Sequence, residues 1–313
     1  MKVILSKKGI DTKDFSGHPM LYKENEEMFF VPIPDDNGNI SYKSFNERLQ
    51  KYFKDSLKSH IKNYDKCKGK IKGRNCHLDP QLKDYFEVGE KFRASFGQSG
   101  RPQGHLRNCE VSVGDLFLFY GWYYKKEKPK EQNIIFGYMK IGDILTFDEK
   151  GNVYRAKKLN KDRKEYEYIG KLENNEFINK EGKENIENIE EIYPFLNNQP
   201  HWVRLKENFQ KNYKNDVIYI AEENEFGFFN YNESLILTNT DNKNKLKTEW
   251  YIKELKAVEE LHPKNRKVFL EKGRGRLVKG YCQELVFDNE KVSEWAEGLN
   301  NCRYEDGDVV CVK

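Results

Sequence analysis

The chain has 313 residues, of which 34% are charged and 37% hydrophobic. A chain of this length can bury a core without disulfides or metals as staples, which excludes a small stapled module. Its 55 basic and 51 acidic side chains leave a net charge of +4, so a wholly basic surface for a nucleic-acid duplex or an anionic membrane is excluded. Any surface for nucleic acid must be local.

The N-terminal segment and the cysteines indicate a soluble, cytoplasmic protein. Residues 1–9 are typical of a short apolar strand followed by basic residues, without the cleavage site of a signal peptide. No stretch approaches the roughly 20 apolar residues of a membrane helix, so no membrane partner is expected. The six cysteines include no C-x-x-C pair, and reduced thiols are expected.

The N-terminal third predicts extended segments followed by one strong helix. Apolar runs at 3–5 and 28–31 indicate strands, and residues 35–38 have the chemistry of a turn. Ser44 and Glu47 form a capping-box pattern, which predicts that a helix begins at Ser44. Its apolar face consists of Phe45, Leu49, Tyr52, Phe53 and Leu57.

The remaining chain predicts a sheet with flanking helices. Apolar runs at 116–124 and 134–145 indicate two adjacent antiparallel strands, and shorter strands are expected at 217–221 and 235–238. The Lys- and Glu-rich residues 146–192 predict exposed charged hairpins, a peripheral insertion in a single domain that spans 1–313. A last helix carries Val292, Trp295, Ala296 and Leu299 on one face.

In this order of elements, strands and helices do not alternate as in βαβ units, and the sequence has no glycine-rich nucleotide-binding motif. It predicts an α+β fold with a mainly antiparallel sheet, for which a barrel is one available form.

His77 and Asp79 form the first candidate site. In an extended segment, residues two apart point to the same side, and an imidazole beside a carboxylate can do acid–base work or bind a metal. Alternatively, Asp79 caps the turn before Pro80 and His77 bonds locally.

The glycine-rich segment 96–106 is the second candidate site. Its glycines would let the backbone approach a ligand, and Gln98, Arg101, Gln103 and His105 supply groups that read base edges and phosphates. The alternative is an ordinary surface loop.

Other segments offer weaker candidates. His201 could lend a third imidazole, whereas Trp202 beside it is expected in the core. No two histidines have metal-ligand spacing, so no metal site built from sequence-local ligands is predicted, and the cofactor is left open. Residues 272–276 have the composition of a basic turn that could bind phosphate, with a solvated loop as the favoured alternative. One of Gln283 and Glu284 is expected to point inward. Trp122 and Tyr124 lie at the far end of an aromatic run, where they could stack on a base.

Seven short motifs in one order span nearly the whole chain. They are Ile-Leu-Ser-Lys-Lys-Gly (4–9), Pro-Ile-Pro (32–34), His-Leu-Asp-Pro (77–80), Phe-Gly-Gln…Gln-Gly-His-Leu (96–106), Gly-Asp-Leu-Phe-Leu-Phe-Tyr-Gly-Trp (114–122), Phe-Gly-Tyr-Met (136–139) and Ile-Tyr-Ile-Ala (218–221). In this order the chain resembles the third of the nucleotide modification associated domain families of bacteria and their phages. The resemblance implies a place in systems that modify bases or nucleotides, and its polar positions suggest an enzyme.

The resemblance also implies which polar residues carry the family's function. The matched polar positions are Ser6, Lys7, His77, Asp79, Gln98, Gln103, His105, Asp115 and Gln283. Arg101-Pro102 departs from the small residues of the family's loop. Gln199 replaces a more usual histidine beside His201, which weakens a catalytic or metal role for His201. The hairpin from Gly114 to Met139 also resembles the PUA-like barrel, which frames a pocket for a modified or flipped base.

Two functional hypotheses follow. In the first, the protein is an enzyme acting on a base or nucleotide, with catalytic His77, Asp79 and His105. Its substrate-binding residues would be Ser6, Lys7, Gln98, Arg101, Gln103, Trp122 and Gln283. In the second, it is a non-catalytic reader of modified or flipped bases in DNA or another nucleic acid, through a PUA-like barrel. An accessory interaction protein is a third option.

Overall fold

The computed structural model describes residues 1–9, 20–21, 27–54, 56–61, 64–124, 131–173, 176–179, 189–207, 216–238, 284–300, 302–305 and 308–311. The predictions for Gln283 and for the basic turn 272–276 lie outside these ranges.

The strands are β1 Val3–Lys7, β2 Met20–Leu21, β3 Ile33–Pro34, β4 Ile40–Ser41, β5 Asn75–His77, β6 Ser95–Gln98, β7 Leu116–Tyr124, β8 Glu131–Phe147, β9 Asn152–Ala156, β10 Tyr166–Glu173, β11 Glu176–Asn179, β12 Val217–Phe228, β13 Glu284–Phe287, β14 Cys302–Glu305 and β15 Asp308–Cys311. The α-helices are α1 Tyr42–Phe53, α2 Leu57–His60, α3 Tyr64–Ile71, α4 Gly100–Asn108, α5 Ile189–Ile192, α6 Pro200–Glu207 and α7 Glu290–Asn300. Short 3-10 helices cover Gly89–Lys91, Pro194–Asn198 and Glu233–Leu235.

One large sheet organises the part of the chain that the structure describes. Its main path runs β11-β10-β9-β8-β7-β1-β13, with β12 paired to β8 and β6 paired to β12. Strand β1 runs parallel to β7, as does β2, and the other pairs of this sheet are antiparallel. The α+β class with a mainly antiparallel sheet is therefore confirmed. The described strands do not close into a barrel.

The predicted central hairpin is confirmed. Strands β7 and β8 pair antiparallel from Leu116 opposite Lys140 to Tyr124 opposite Glu131. Both strands are buried along most of their length because helices and other strands cover both faces of the sheet.

The described strands of the charged segment, β9 to β11, continue this sheet. Strand β9 pairs with β8, and β10 and β11 follow in antiparallel register. Leu172 and Phe177 from these strands pack in a second buried cluster around Trp202, which is fully buried as predicted. The hairpins thus have an apolar face that lies against α6.

The first helix lies where the sequence predicts it, but it begins before the predicted start at Ser44. Its N-cap is Ser41, whose Oγ accepts a hydrogen bond from the backbone N–H of Ser44 at 3.0 Å. Lys54, in left-handed backbone with φ of 51°, ends the helix, so Leu57 belongs to α2. Ser44 is therefore the third helical residue and not the cap.

Three other expectations are corrected. Residues 28–31 are buried without forming a strand, and residues 233–235 form a 3-10 turn where a strand was expected over 235–238. The glycine-rich segment 96–106 is not a loop: it is the end of β6 followed by α4. Pro102 falls in the first turn of α4, where the missing N–H costs nothing.

Among the described residues, no helix is long and apolar enough to cross a membrane.

Candidate functional site

Two histidines from distant parts of the chain converge on one buried aspartate. His77 ends β5, Asp79 follows two residues later, and His201 lies in the first turn of α6. The Nε2 atoms of His77 and His201 lie 3.7 and 3.6 Å from Oδ2 of Asp79. The two imidazole rings meet edge to face, with centroids 5.2 Å apart. We refer to these three residues as the histidine cluster.

Asp79 is held in place by neutral donors. Its Oδ1 accepts hydrogen bonds from the side-chain amide of Gln199 and from the backbone N–H of Gly97, both at 3.0 Å. Gln199 also caps α6, because its Oε1 accepts from the backbone N–H groups of His201 at 2.6 Å and Trp202 at 3.2 Å. Gln199 thus couples the carboxylate of Asp79 to the helix that carries His201.

A second carboxylate braces the far side of each imidazole. Nδ1 of His77 lies 3.3 Å from Oδ2 of Asp35, which directly follows β3. Nδ1 of His201 lies 3.0 Å from Oδ1 of Asp216, which directly precedes β12. Arg204 donates to the same Asp216 oxygen at 2.9 Å. Each ring is therefore oriented from both sides.

Gly97 makes room for the His201 ring. A Cβ atom at this position would lie 2.1 Å from Cδ2 of His201 and 2.4 Å from its Cγ. Real carbon atoms do not approach so closely. Of the glycines in segment 96–106, Gly97 is therefore the one whose missing side chain shapes the histidine cluster.

The surroundings push the pKa values of the two imidazoles apart. Burial lowers the pKa of His201 well below its usual value, and Asp79 opposes this only in part. Burial also disfavours charge on His77, but the carboxylates of Asp35 and Asp79 outweigh it and raise its pKa. Burial raises the pKa of Asp216 to about 7, against the pull of Arg204.

A second set of polar side chains lies beside the histidine cluster. Oε1 of Glu284, on β13, accepts hydrogen bonds from Nε2 of Gln98 at 2.6 Å and Oγ of Ser6 at 3.1 Å. Nζ of Lys8 lies 3.4 Å from the same oxygen and 4.1 Å from the centre of the Phe96 ring. We call Ser6, Lys8, Gln98 and Glu284 the Glu284 cluster.

Strand β6 joins the two clusters. Gly97 donates its backbone N–H to Asp79, and the next side chain, Gln98, donates to Glu284. Lys8 is near enough to His201 to contribute to the lowering of its pKa. Oε2 of Glu284 is buried without a hydrogen-bond partner in the described structure, which leaves it able to accept a further hydrogen bond.

The sequence-predicted residues therefore fall into three sets. His77 and Asp79 lie in the histidine cluster, and Ser6 and Gln98 lie in the Glu284 cluster. The residues of the third set lie outside both clusters. Lys7, on β1, is paired with Tyr120, and Trp122, on β7, is paired with Asn133. The other three lie on α4: Arg101 is exposed, the buried Gln103 accepts from the Tyr219 hydroxyl at 2.9 Å, and Nε2 of His105 lies 3.6 Å from Sγ of Cys109.

Sequence reasoning missed part of this site. The family pattern weakens a role for His201 because Gln199 replaces a histidine beside it, yet in the structure the Gln199 amide donates to Asp79. Asp35 lies in a segment whose chemistry predicts a turn, and Asp216 carries no local signal. The spacing of His201 and Arg204 on one helical face, three residues apart, was the available clue.

The fold and this site define an α+β protein with a buried His-Asp-His centre. Comparison with known families identifies the family: residues 2–183 match the family model described as nucleotide modification associated domain 3. The chain belongs to that family, as the sequence motifs predicted, and the family description implies involvement in nucleotide modification. No curated protein and no solved structure matches the chain.

Proposed function

We propose that this protein is an enzyme that modifies a base or nucleotide, with the histidine cluster as its reaction centre. The observation that carries the proposal is the convergence of two carboxylate-braced imidazoles on the buried carboxylate of Asp79. Braced imidazoles serve proton transfer and metal ligation. Recognition of a base alone needs stacking and edge hydrogen bonds and no such centre.

The Glu284 cluster supplies the groups that would hold the substrate. The amide of Gln98 and the hydroxyl of Ser6 can bond to a base edge, and Oε2 of Glu284 has acceptor capacity for an N–H group. Lys8 and Arg204 are the cations beside the histidine cluster. With a net charge of only +4, these local cations favour a nucleotide or a single flipped base over an extended duplex surface.

The proposal is tested by the Asp79→Asn variant. Asparagine keeps the size of the side chain, and its oxygen can still accept from Gly97, so the fold is expected to survive while turnover falls at least 10²-fold. Asp36→Asn is the matched control, because it removes an exposed carboxylate beside Arg74, in the turn between β3 and β4. Nucleotides and oligonucleotides incubated with each protein are analysed by mass spectrometry.

The outcomes separate the hypotheses. Wild-type protein that changes the mass of a nucleotide or base, while Asp79→Asn does not, supports the enzyme. Full turnover in Asp79→Asn refutes the histidine cluster as the reaction centre. Binding of a modified oligonucleotide without any change in mass contradicts the enzyme and supports a reader.

A further inference from the structure

We propose that the histidine cluster binds one divalent first-row transition-metal ion. The ligands would be Nε2 of His77, Nε2 of His201 and Oδ2 of Asp79. This inference concerns the ion alone and does not depend on the identity of the substrate.

The separations of the ligand atoms support a shared ion. All three atoms lie within 4.8 Å of one another, and the two nitrogens lie 3.7 and 3.6 Å from Oδ2 of Asp79. These distances exceed the roughly 3.2 Å limit of a hydrogen bond. Ligands held at about 2.1 Å from one ion in a tetrahedral arrangement are about 3.4 Å apart. The two nitrogen–oxygen separations are thus too long for ordinary direct hydrogen bonds and close to the spacing around an ion.

The braced nitrogens provide a second argument. Metal-bound histidines donate the other ring N–H to a carboxylate, which turns the lone pair toward the ion. Asp35 and Asp216 occupy this position for His77 and His201, at 3.3 and 3.0 Å from the Nδ1 atoms.

Arg204 also lies near this arrangement, with Nη2 3.0 Å from Nδ1 of His201. Because Arg204 already donates to Asp216 at 2.9 Å, the Asp216 oxygen accepts from both donors when His201 carries its proton on Nδ1. Metal binding at Nε2 would select that tautomer.

Charge and ligand type indicate the class of ion. The carboxyl group of Asp79 lies in the cluster and those of Asp35 and Asp216 lie beside it, an arrangement that favours a cation. Two imidazoles and one carboxylate suit zinc, iron, cobalt or nickel, whereas magnesium and calcium prefer oxygen ligands. Three protein ligands leave at least one position for water or substrate, as in catalytic zinc sites. The His77 side chain is 16% exposed, so solvent reaches the cluster at that residue.

The experiment is a Co²⁺ titration of protein that has been stripped with a chelator. Bound Co²⁺ absorbs visible light with an intensity that depends on its geometry, so the spectrum reports on the site without any substrate. We expect one equivalent of Co²⁺ to bind, Zn²⁺ to displace it, and Mg²⁺ at the same concentration to leave the spectrum unchanged.

Variants locate the site. His77→Ala and His201→Gln should lose the spectrum, and Asp216→Asn, which removes only a bracing charge, should weaken binding by about 10- to 100-fold. His105→Ala is the control, because it removes a different imidazole, beside Cys109. Circular dichroism checks that each variant folds. His77 is the more exposed of the two histidines, so the His77→Ala variant still tests the site if the His201→Gln variant fails to fold.

Absence of Co²⁺ binding by the wild type overturns the inference, as does binding that survives in His77→Ala. Loss of binding in His105→Ala would place the ion at His105 and Cys109 and would also overturn it. Because this titration uses no nucleotide, its failure is distinguishable from failure of the mass-spectrometric assay of Asp79→Asn.

Discussion

Replacing Gly97 by alanine tests the architecture of the histidine cluster with a single methyl group. The added Cβ would lie 2.1 Å from Cδ2 of His201. An ordinary carbon contact is about 3.5 Å, so the ring must retreat by about 1.4 Å. The ring is buried, and Asp216 holds its Nδ1 at 3.0 Å. The retreat therefore also stretches that hydrogen bond.

The expected losses follow from this displacement. Overpacking of a buried site costs about 1–3 kcal/mol of the free energy of unfolding. Misplacement of a reacting group by about 1 Å can cost about 10²-fold in rate. Metal–ligand distances tolerate only about 0.2 Å, so Co²⁺ affinity should fall by a similar or larger factor. The backbone N–H of Gly97 still reaches Asp79, so the loss arises at His201.

The assays are urea unfolding and Co²⁺ titration, with Gly104→Ala as the matched control. A Cβ at Gly104, in α4, meets nothing within 4 Å. This control should keep metal binding and gain about 0.5–1 kcal/mol from better helix propensity. If Gly97→Ala keeps both the stability and the Co²⁺ affinity of the wild type, the reasoning about His201 is refuted.

Two further substitutions test the contacts around the site. Burial raises the pKa of Glu284 above its ordinary 4.5, against the pull of Lys8, so the ionised side chain destabilises the fold as pH rises through the folded-state pKa. Glu284→Gln does not titrate at this position, so its free energy of unfolding should rise relative to that of the wild type as the pH rises above the ordinary Glu pKa of 4.5. The gain should be about 1.4 kcal/mol per unit by which the folded-state pKa is raised, and a pH-independent difference in urea unfolding would contradict this. Gln199→Ala removes the cap of α6 and a donor to Asp79, and should lower the free energy of unfolding by about 1–3 kcal/mol; a change under about 0.5 kcal/mol would show that water replaces the amide.

The sequence by itself determined the local features of this protein. The apolar runs of β7 and β8 predicted a central antiparallel pair, and the periodicity of Val292 to Leu299 predicted α7. The two-residue spacing of His77 and Asp79 predicted that both side chains face one side. Each of these depends on the repeat of a strand or helix, which neighbouring residues set by themselves.

The tertiary structure decided which distant residues complete the site. His201 reaches Asp79 because β12 pairs with β6, which places Asp216 beside the end of β6 and the glycine at 97 beneath the imidazole ring. The pairing of β13 with β1 places Glu284 opposite Ser6, and the packing of β6 brings Gln98 to the same carboxyl group. Such approaches depend on packing between segments more than 100 residues apart, and sequence periodicity carries no information about them.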